Sequence, residues 1–334
     1  MPDRTDKRTP TELRRPARRH LAADPERYRF RLAYRPPYDW NAALAFLGAR
    51  ATPGVESVVG SHYRRTIQIE GKTGVIDVSH VESGSALVLD VRFSDARPLL
   101  FIVERVRRVF DLGADPAVIE QHLSPDPLLR QLLSRHPGIR TPGAWDGFEL
   151  AVRAIVGQQI SVRAATTIAG RIASMFGSPV ADGRGLDRLF PAPVQLANAA
   201  IERAGVTTAR AGTIRSLART VTDGTISFNA SLDGRATVSA LRAVPGIGAW
   251  TAEYIAMRAF GEPDAFPSGD LVLRRAAGGC TTRELERKSE AWRPWRAYAV
   301  MLLWQGATDH GEESGRMKNA AVLEARRNRS LPRR

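Results

Sequence analysis

The sequence predicts an α+β protein in two parts: a small domain of strands and helices, then an all-helical body. Three observations carry this. Between residues 28 and 92 apolar side chains alternate in several short runs, the period of a half-buried strand. From about residue 116 that alternation fades and apolar residues recur at helical spacing. The chain has 334 residues, 43% of them hydrophobic and 25% charged, which suits two or three globular domains.

Residues 1–25 are Arg-rich and aperiodic, and are expected to form a basic flexible tail. An N-terminal α+β domain is expected over 26–115. It opens with YRFRLAY from Tyr28 and continues with TIQIE, GVIDVS and ALVLDVR, the last three divided by turn-forming Gly, Lys, Ser and Glu. Two helical runs belong to it: DWNAALAFLGAR, with Asp39 placed to cap its start, and RPLLFIVERVRRVF after the last strand. A helical body is expected over 116–312, where DPLLRQLLSRH, FELAVRAIVGQQ, SVRAATTIAGRIASMF, PVQLANAAIERA, ARAGTIRSLARTV, ATVSALRAV, WTAEYIAMRAF, TRELERKSEAW and WRAYAVMLLW all repeat at helical spacing. Residues 313–334 read as a second basic tail. There is no fixed-period repeat of the solenoid kind.

A formal charge of +14 suggests a polyanionic partner. The distribution weakens that inference: residues 1–20 carry seven Lys/Arg against three acids, and residues 316–334 seven against one. Ten of the fourteen charges therefore sit in the tails, and charge alone leaves solvated tails and nucleic-acid binding equally open. Cys280 is the only cysteine, which excludes an intramolecular disulfide, a cysteine-ligated zinc site and a four-cysteine iron–sulfur cluster. No apolar run approaches the roughly 18 residues of a membrane span, and MPDRTDKRTP lacks the apolar core of a signal peptide. A cytoplasmic protein with no membrane partner is expected.

One stretch concentrates the chemistry: VPGIGAWTAEYIAMRAFGEPDAFPSGD, residues 244–270. Pro245 cannot continue a helix, while Gly246 and Gly248 permit positive φ and leave backbone groups uncovered around Ile247. The helix that restarts there presents free amide N–H groups, a ready phosphate site that needs no charged side chain. The hairpin carbonyls of Val244 and Ile247 can also hold a monovalent cation, sodium or potassium, bridging to a phosphate. The same residues equally suit a plain helix–helix turn. About twenty residues on, FPSGD places Asp270 at an expected helix N-terminus, where it is either an ordinary N-cap or a fixed acid.

Hairpin, Gly/Pro-rich loop and aspartate at this spacing resemble the helix-hairpin-helix DNA glycosylases. PPYDWNAALAFLGAR, FELAVRAIVGQQISV and WRPWRAYAVMLLW further resemble the bacterial 3-methyladenine DNA glycosylase II family, over about residues 28–312. The resemblance implies a TATA-binding-protein-like α+β domain followed by two helical subdomains with a cleft between them. It implies a monofunctional N-glycosyl hydrolase that flips alkylated bases, of the 3-methyladenine type and other N-alkylpurines, out of double-stranded DNA and leaves an abasic site. It makes Asp270 the catalytic residue, Phe46, Trp250, Tyr254 and Trp304 the base pocket, Pro245, Gly246, Ile247 and Gly248 the DNA-binding hairpin, and Gln159 the wedge that fills the vacated stack. No cofactor is required, and a monomer is expected.

The residues support this on their own chemistry. Cleaving an N-glycosidic bond builds positive charge on the sugar, which a fixed carboxylate stabilises while orienting or deprotonating water. Trp250 and Tyr254 are four apart, hence on one helix face, and electron-rich rings attract cationic bases by about 0.5–2 kcal/mol per contact. A cationic base is already a good leaving group and needs no general acid. Asp264 and Glu262, in the same loop, read as structural or solvent-facing, as do His20, His62, His80, His122, His136 and His310.

Two departures from relatives narrow the reading. Relatives that also nick the strand have a lysine two residues after the last hairpin glycine, where this chain has Trp250; that disfavours an oxidised-purine glycosylase/lyase. The position of Gln159 carries an apolar wedge in the best-known member of the family. A non-catalytic DNA-binding module remains the rival outside enzymes, and TPTELRR near the N-terminus resembles the end of an AraC-type helix-turn-helix.

Overall fold

A computed structural model describes residues 27–81, 84–180, 185–228 and 234–309. The two basic tails, TPTELRR, His20 and His310 lie outside the described residues. Strands β1 (Arg27–Ala33), β2 (Glu56–Val59), β3 (His62–Ile69), β4 (Lys72–Val81) and β5 (Ala86–Phe93) form one antiparallel sheet in the order β1-β5-β4-β3-β2. Glu70 (φ 49°) and Gly71 (φ 77°) turn β3 into β4, both in the left-handed region that a two-residue hairpin of this hand requires.

Helices α1 (Trp40–Gly48) and α2 (Leu99–Val109) bury one face of the sheet. Leu44, Leu47, Ile102 and Val106 pack there with Ile67, Ile76, Leu89 and Val91. Asp39 caps α1 by accepting the Ala42 N–H at 2.9 Å.

Sequence alternation marked four strands; the sheet has five. β2 is a four-residue edge strand with Val59 60% exposed, too short and too open to alternate. β3 also starts earlier than its TIQIE run because HYRR includes a buried Arg65 where the pattern calls for an apolar residue.

The remaining chain is helical: α3 (Pro116–Leu123), α4 (Pro127–Arg135), α5 (Gly147–Val156), α6 (Val162–Phe176), α7 (Pro193–Leu196), α8 (Thr208–Thr222), α9 (Gly234–Ala243), α10 (Ala249–Ile255), α11 (Leu271–Ala276), α12 (Thr282–Ser289) and α13 (296–309). Two corrections to the expected helices concern continuity. PVQLANAAIERA is not one helix: α7 stops at Leu196, and Ile201–Ala204 forms a separate 3₁₀ turn ended by Gly205 at φ 90°. Leu196, Ile201 and Ala204 still face the core, so the apolar rhythm survives the break. WTAEYIAMRAF is helical to Ile255 and then widens into a π turn, Ala256–Phe260.

The helices enclose two cores. The first joins α5, α6, α8 and the segment around α9 and α10 through Ile155, Ile172, Leu217, Leu241, Val244 and Ile255. The second joins Ile119, Leu129 and Leu133 of α3 and α4 to Met257, Leu273 and Leu302, much later in the chain. Buried ion pairs tie the sheet to the first core: Arg65 on β3 pairs with both Glu56 on β2 and Glu149 on α5. Phe46 of α1 stacks on Trp304 of α13.

Candidate active site

Asp270 follows a tight turn in which its own N–H donates to the Pro267 carbonyl at 2.9 Å. It is the N-cap of α11, Oδ1 accepting the Leu273 N–H at 2.9 Å. The same carboxylate takes two indole donors, Trp250 Nε1 at 3.1 Å on Oδ2 and Trp304 Nε1 at 3.3 Å on Oδ1. The cap bond is part of what fixes the carboxylate in place. A carboxylate accepts about four bonds. All three of these donors are neutral, so its charge stays available to a cation developing beside it.

The expected pocket aromatics come together around this acid. Trp250 and Tyr254 stack in parallel, 5.5 Å apart at 8°. Tyr254 and Trp304 stand 6.2 Å apart at 55°, and Trp304 stacks on Phe46 at 6.4 Å. The first pair is in parallel stacking contact, while the second is inclined and more widely spaced.

Sequence reasoning missed the inner end of this slot. The Arg50 guanidinium lies 3.7 Å from the Phe46 ring centre, and that of Arg258 4.6 Å from the same ring. Arg258 donates to Tyr254 Oη at 3.0 Å and is anchored by the Pro142 and Gly143 carbonyls. Burial alone would raise the Tyr254 phenol; the charges of Arg258, then Arg50 and Arg153, outweigh it and hold the phenol below its ordinary value. Both missed residues stand four positions from an expected one (Phe46 and Arg50, Tyr254 and Arg258), so helical spacing offered a signal.

In the hairpin, Val244 and Ile247 are buried while Pro245, Gly246 and Gly248 face outward. Gly246 has φ 90°, and a Cβ there would lie 2.0 Å from Thr213 Oγ1, so only glycine fits. Gly248 is the N-cap of α10 and has no side chain to occupy the first amides of that helix.

With this geometry in view, the similarities to known proteins become informative. Residues 29–146 match the AlkA N-terminal domain, and residues 152–295 match the HhH-GPD superfamily base excision DNA repair protein. DNA-3-methyladenine glycosylase 2 of Escherichia coli is 32% identical over 278 residues, 82% of this chain and 96% of that one. The chain belongs to the DNA-3-methyladenine glycosylase II family.

A probable bifunctional transcriptional activator/DNA repair enzyme AlkA of Mycobacterium tuberculosis is 40% identical over 308 residues, 89% of this chain; the chain spans 61% of that relative's length. Among solved structures the fold is similar to a 3-methyladenine DNA-glycosylase from Archaeoglobus fulgidus, with TM-score 0.74 and 22% identity over 84% of this chain and 98% of that one. It is also similar to the Clostridium acetobutylicum 8-oxoguanine glycosylase/lyase in complex with double-stranded DNA, with TM-score 0.60 and 17% identity over 77% and 98%.

In this glycosylase II family member the corner between α5 and α6 sits beside the hairpin. Gln159 is exposed there at φ 58°, and Ser161 caps α6 through the Ala164 N–H. Its neighbour Gln158 ties the corner to the hairpin, donating to the Gly246 carbonyl and to Thr251 Oγ1, each at 3.0 Å. That tie was not anticipated, since nothing in QQ distinguishes the inward residue from the outward one. Away from the site, His62 pairs with Asp77, His80 with Tyr34 and His136 with Asp309. Asp264 is held by Arg293 and Arg296, and Glu262 accepts its N–H at 3.3 Å.

Proposed function

We propose that this protein is a monofunctional DNA glycosylase: it flips an alkylated base, 3-methyladenine or another N-alkylpurine, from double-stranded DNA and hydrolyses its N-glycosidic bond. The observation that supports this best is the Asp270 carboxylate, fixed by a backbone amide and two indoles at the mouth of an aromatic slot. As the bond breaks, positive charge grows on the deoxyribose; Asp270 stabilises it and directs water onto the sugar, leaving an abasic site. The base must leave the stack to reach the slot, and Gln159 fills the space behind it.

The hairpin amides of Gly246 and Gly248 hold a phosphate of the same strand. A monovalent cation fits this arrangement. The Val244 carbonyl spends one lone pair on the Ile247 N–H at 3.0 Å, and Gln158 takes the Gly246 carbonyl. The second Val244 lone pair and the Ile247 carbonyl remain as hard oxygen donors of the kind sodium or potassium accepts. Such an ion would hold DNA in place; it takes no part in the bond cleavage.

A lyase reading needs an amine where Trp250 stands, and that indole is instead engaged with Asp270. A phosphate-binding module would not need the acid and its aromatic slot. A cytoplasmic role fits the single unpaired Cys280. No helix among the described residues is long and apolar enough to cross a membrane. The test is to incubate methylated duplex DNA with wild type and Asp270→Asn and assay free bases and abasic sites. Release by wild type alone, with duplex binding kept by both, is expected; equal release by both would remove Asp270 from the chemistry.

A further inference from the structure

We propose that Arg50 determines specificity in the base slot: with Arg258 and Arg153 it makes the inner end cationic, so that cationic bases enter against a field that neutral bases do not meet. This rests on the glycosylase reading and concerns which bases that site prefers. The aromatic slot by itself attracts cations. Here, however, guanidinium groups already lie 3.7 and 4.6 Å from the Phe46 ring centre, and Arg258 lies 5.8 Å from that of Tyr254.

The positive charge is offset in part but not cancelled: four arginines (Arg50, Arg65, Arg153 and Arg258) stand with three acids (Glu56, Asp146 and Glu149). Arg258 spends its donors on the Tyr254 hydroxyl and two carbonyls, Arg50 donates to the Phe46 carbonyl at 3.2 Å, and Arg153 donates to the Thr52 and Thr166 hydroxyls. Among the described residues the acids at this end, Glu56 and Glu149, are both paired with Arg65. Asp146 caps α5, its Oδ1 taking the Glu149 N–H at 2.8 Å.

Bond cleavage gives the direction of the effect. The electron pair of the C1′–N bond leaves with the base, so a cationic N-alkylpurine departs neutral and a neutral base departs as an anion that water then protonates. Relative to free DNA, the arginines oppose a base that still carries positive charge in the transition state. They stabilise one that is acquiring negative charge. Removing Arg50 should therefore help the first substrate and hurt the second.

The experiment uses two duplexes of identical sequence, one with cationic 7-methylguanine and one with neutral hypoxanthine, and measures single-turnover excision at limiting protein. Arg50→Gln should raise the 7-methylguanine to hypoxanthine ratio of kcat/KM by about tenfold, the scale of one unit charge a few ångströms away in a partly screened site. Arg50→Lys should restore the wild-type ratio, and Arg153→Gln should shift it in the same direction as Arg50→Gln. Equal losses on both substrates, or an unchanged ratio in both Gln variants, would reduce Arg50 to a packing residue and overturn the proposal. If wild type excised neither base, nor any base from methylated duplex, the glycosylase reading itself would fall, which is a distinct result.

Discussion

Asp270 is held by donors that can be removed one at a time. Trp250→Phe keeps a ring beside Tyr254 and deletes only the 3.1 Å bond to Oδ2. A hydrogen bond to a charged group contributes about 1.5–3 kcal/mol, so single-turnover excision should fall by roughly tenfold to a hundredfold. Duplex affinity, measured by fluorescence anisotropy, should barely change, because Trp250 supports the acid and not the phosphate site. Gln159 calls for a different comparison. It is exposed at φ 58°, and alanine has the same preference against that region, so Gln159→Ala isolates the side chain from the backbone. Binding to an abasic-site analogue should weaken and excision from duplex should slow, while excision from single strands, which have no stack to prop open, should stay near wild type. Equal loss on both substrates would mark a general defect of the cleft.

Among the elements, the hairpin is the most exacting. Gly246→Ala places a methyl group 2.0 Å from Thr213 Oγ1 at φ 90°, so hairpin and α8 must part. A loss of about 1–3 kcal/mol in thermal or urea unfolding is expected, with duplex affinity down at least tenfold. Gly248→Ala is the matched control, since a Cβ there meets nothing within 4 Å and the backbone sits at φ −83°. Its stability should stay near wild type. The hairpin and Asp270 were legible in the sequence because glycine, proline and a helix-capping acid are each tied to a local backbone geometry. The aromatic slot was legible through the four-residue spacing of Trp250 and Tyr254. β2 was not, because its four residues are too few to alternate and its inward side carries the charged Glu56 that pairs with Arg65. Nor was the break in 193–204, because apolar rhythm reports which side chains are buried and is indifferent to whether a helix or a turn carries them there. Arg50 and Arg258 escaped for another reason: their spacing was visible, but a search for rings that attract cations does not look for cations already seated on them.

At the scale of the molecule, Asp111 links the two parts. It lies just past α2 and accepts the Thr141 N–H at 3.1 Å and the Tyr298 hydroxyl, on α13, at 2.8 Å. Burial pushes its carboxyl up from 3.8 to about 6, against the pull of those two donors and Arg140. A folded-state value above the unfolded one means that this group's contribution to stability is complete below about pH 4 and is lost as pH rises through 6. Asparagine keeps both acceptor bonds and cannot ionise. Urea denaturation of Asp111→Asn and wild type should therefore nearly coincide at pH 4 and diverge as pH rises, the variant gaining up to about 3 kcal/mol by pH 8. A constant difference across that range would detach Asp111 from the pH dependence. The doubled visit of the chain to its second helical core has a consequence in time. Most of the core that Ile119, Leu123, Leu129 and Leu133 share, from Ala256 to Leu303, comes much later in the chain. On a ribosome adding about 5–20 residues per second, the roughly 120 residues between Arg135 and Ala256 take some 6–24 s to emerge. During that interval the apolar stripes of α3 and α4 lack most of that cover, while the sheet can already close; the first core, which runs to Ile255, is complete only at its end. Asp270 and Trp304 arrive later still, so a nascent chain completes its hairpin before the carboxylate and its second indole donor exist beside it.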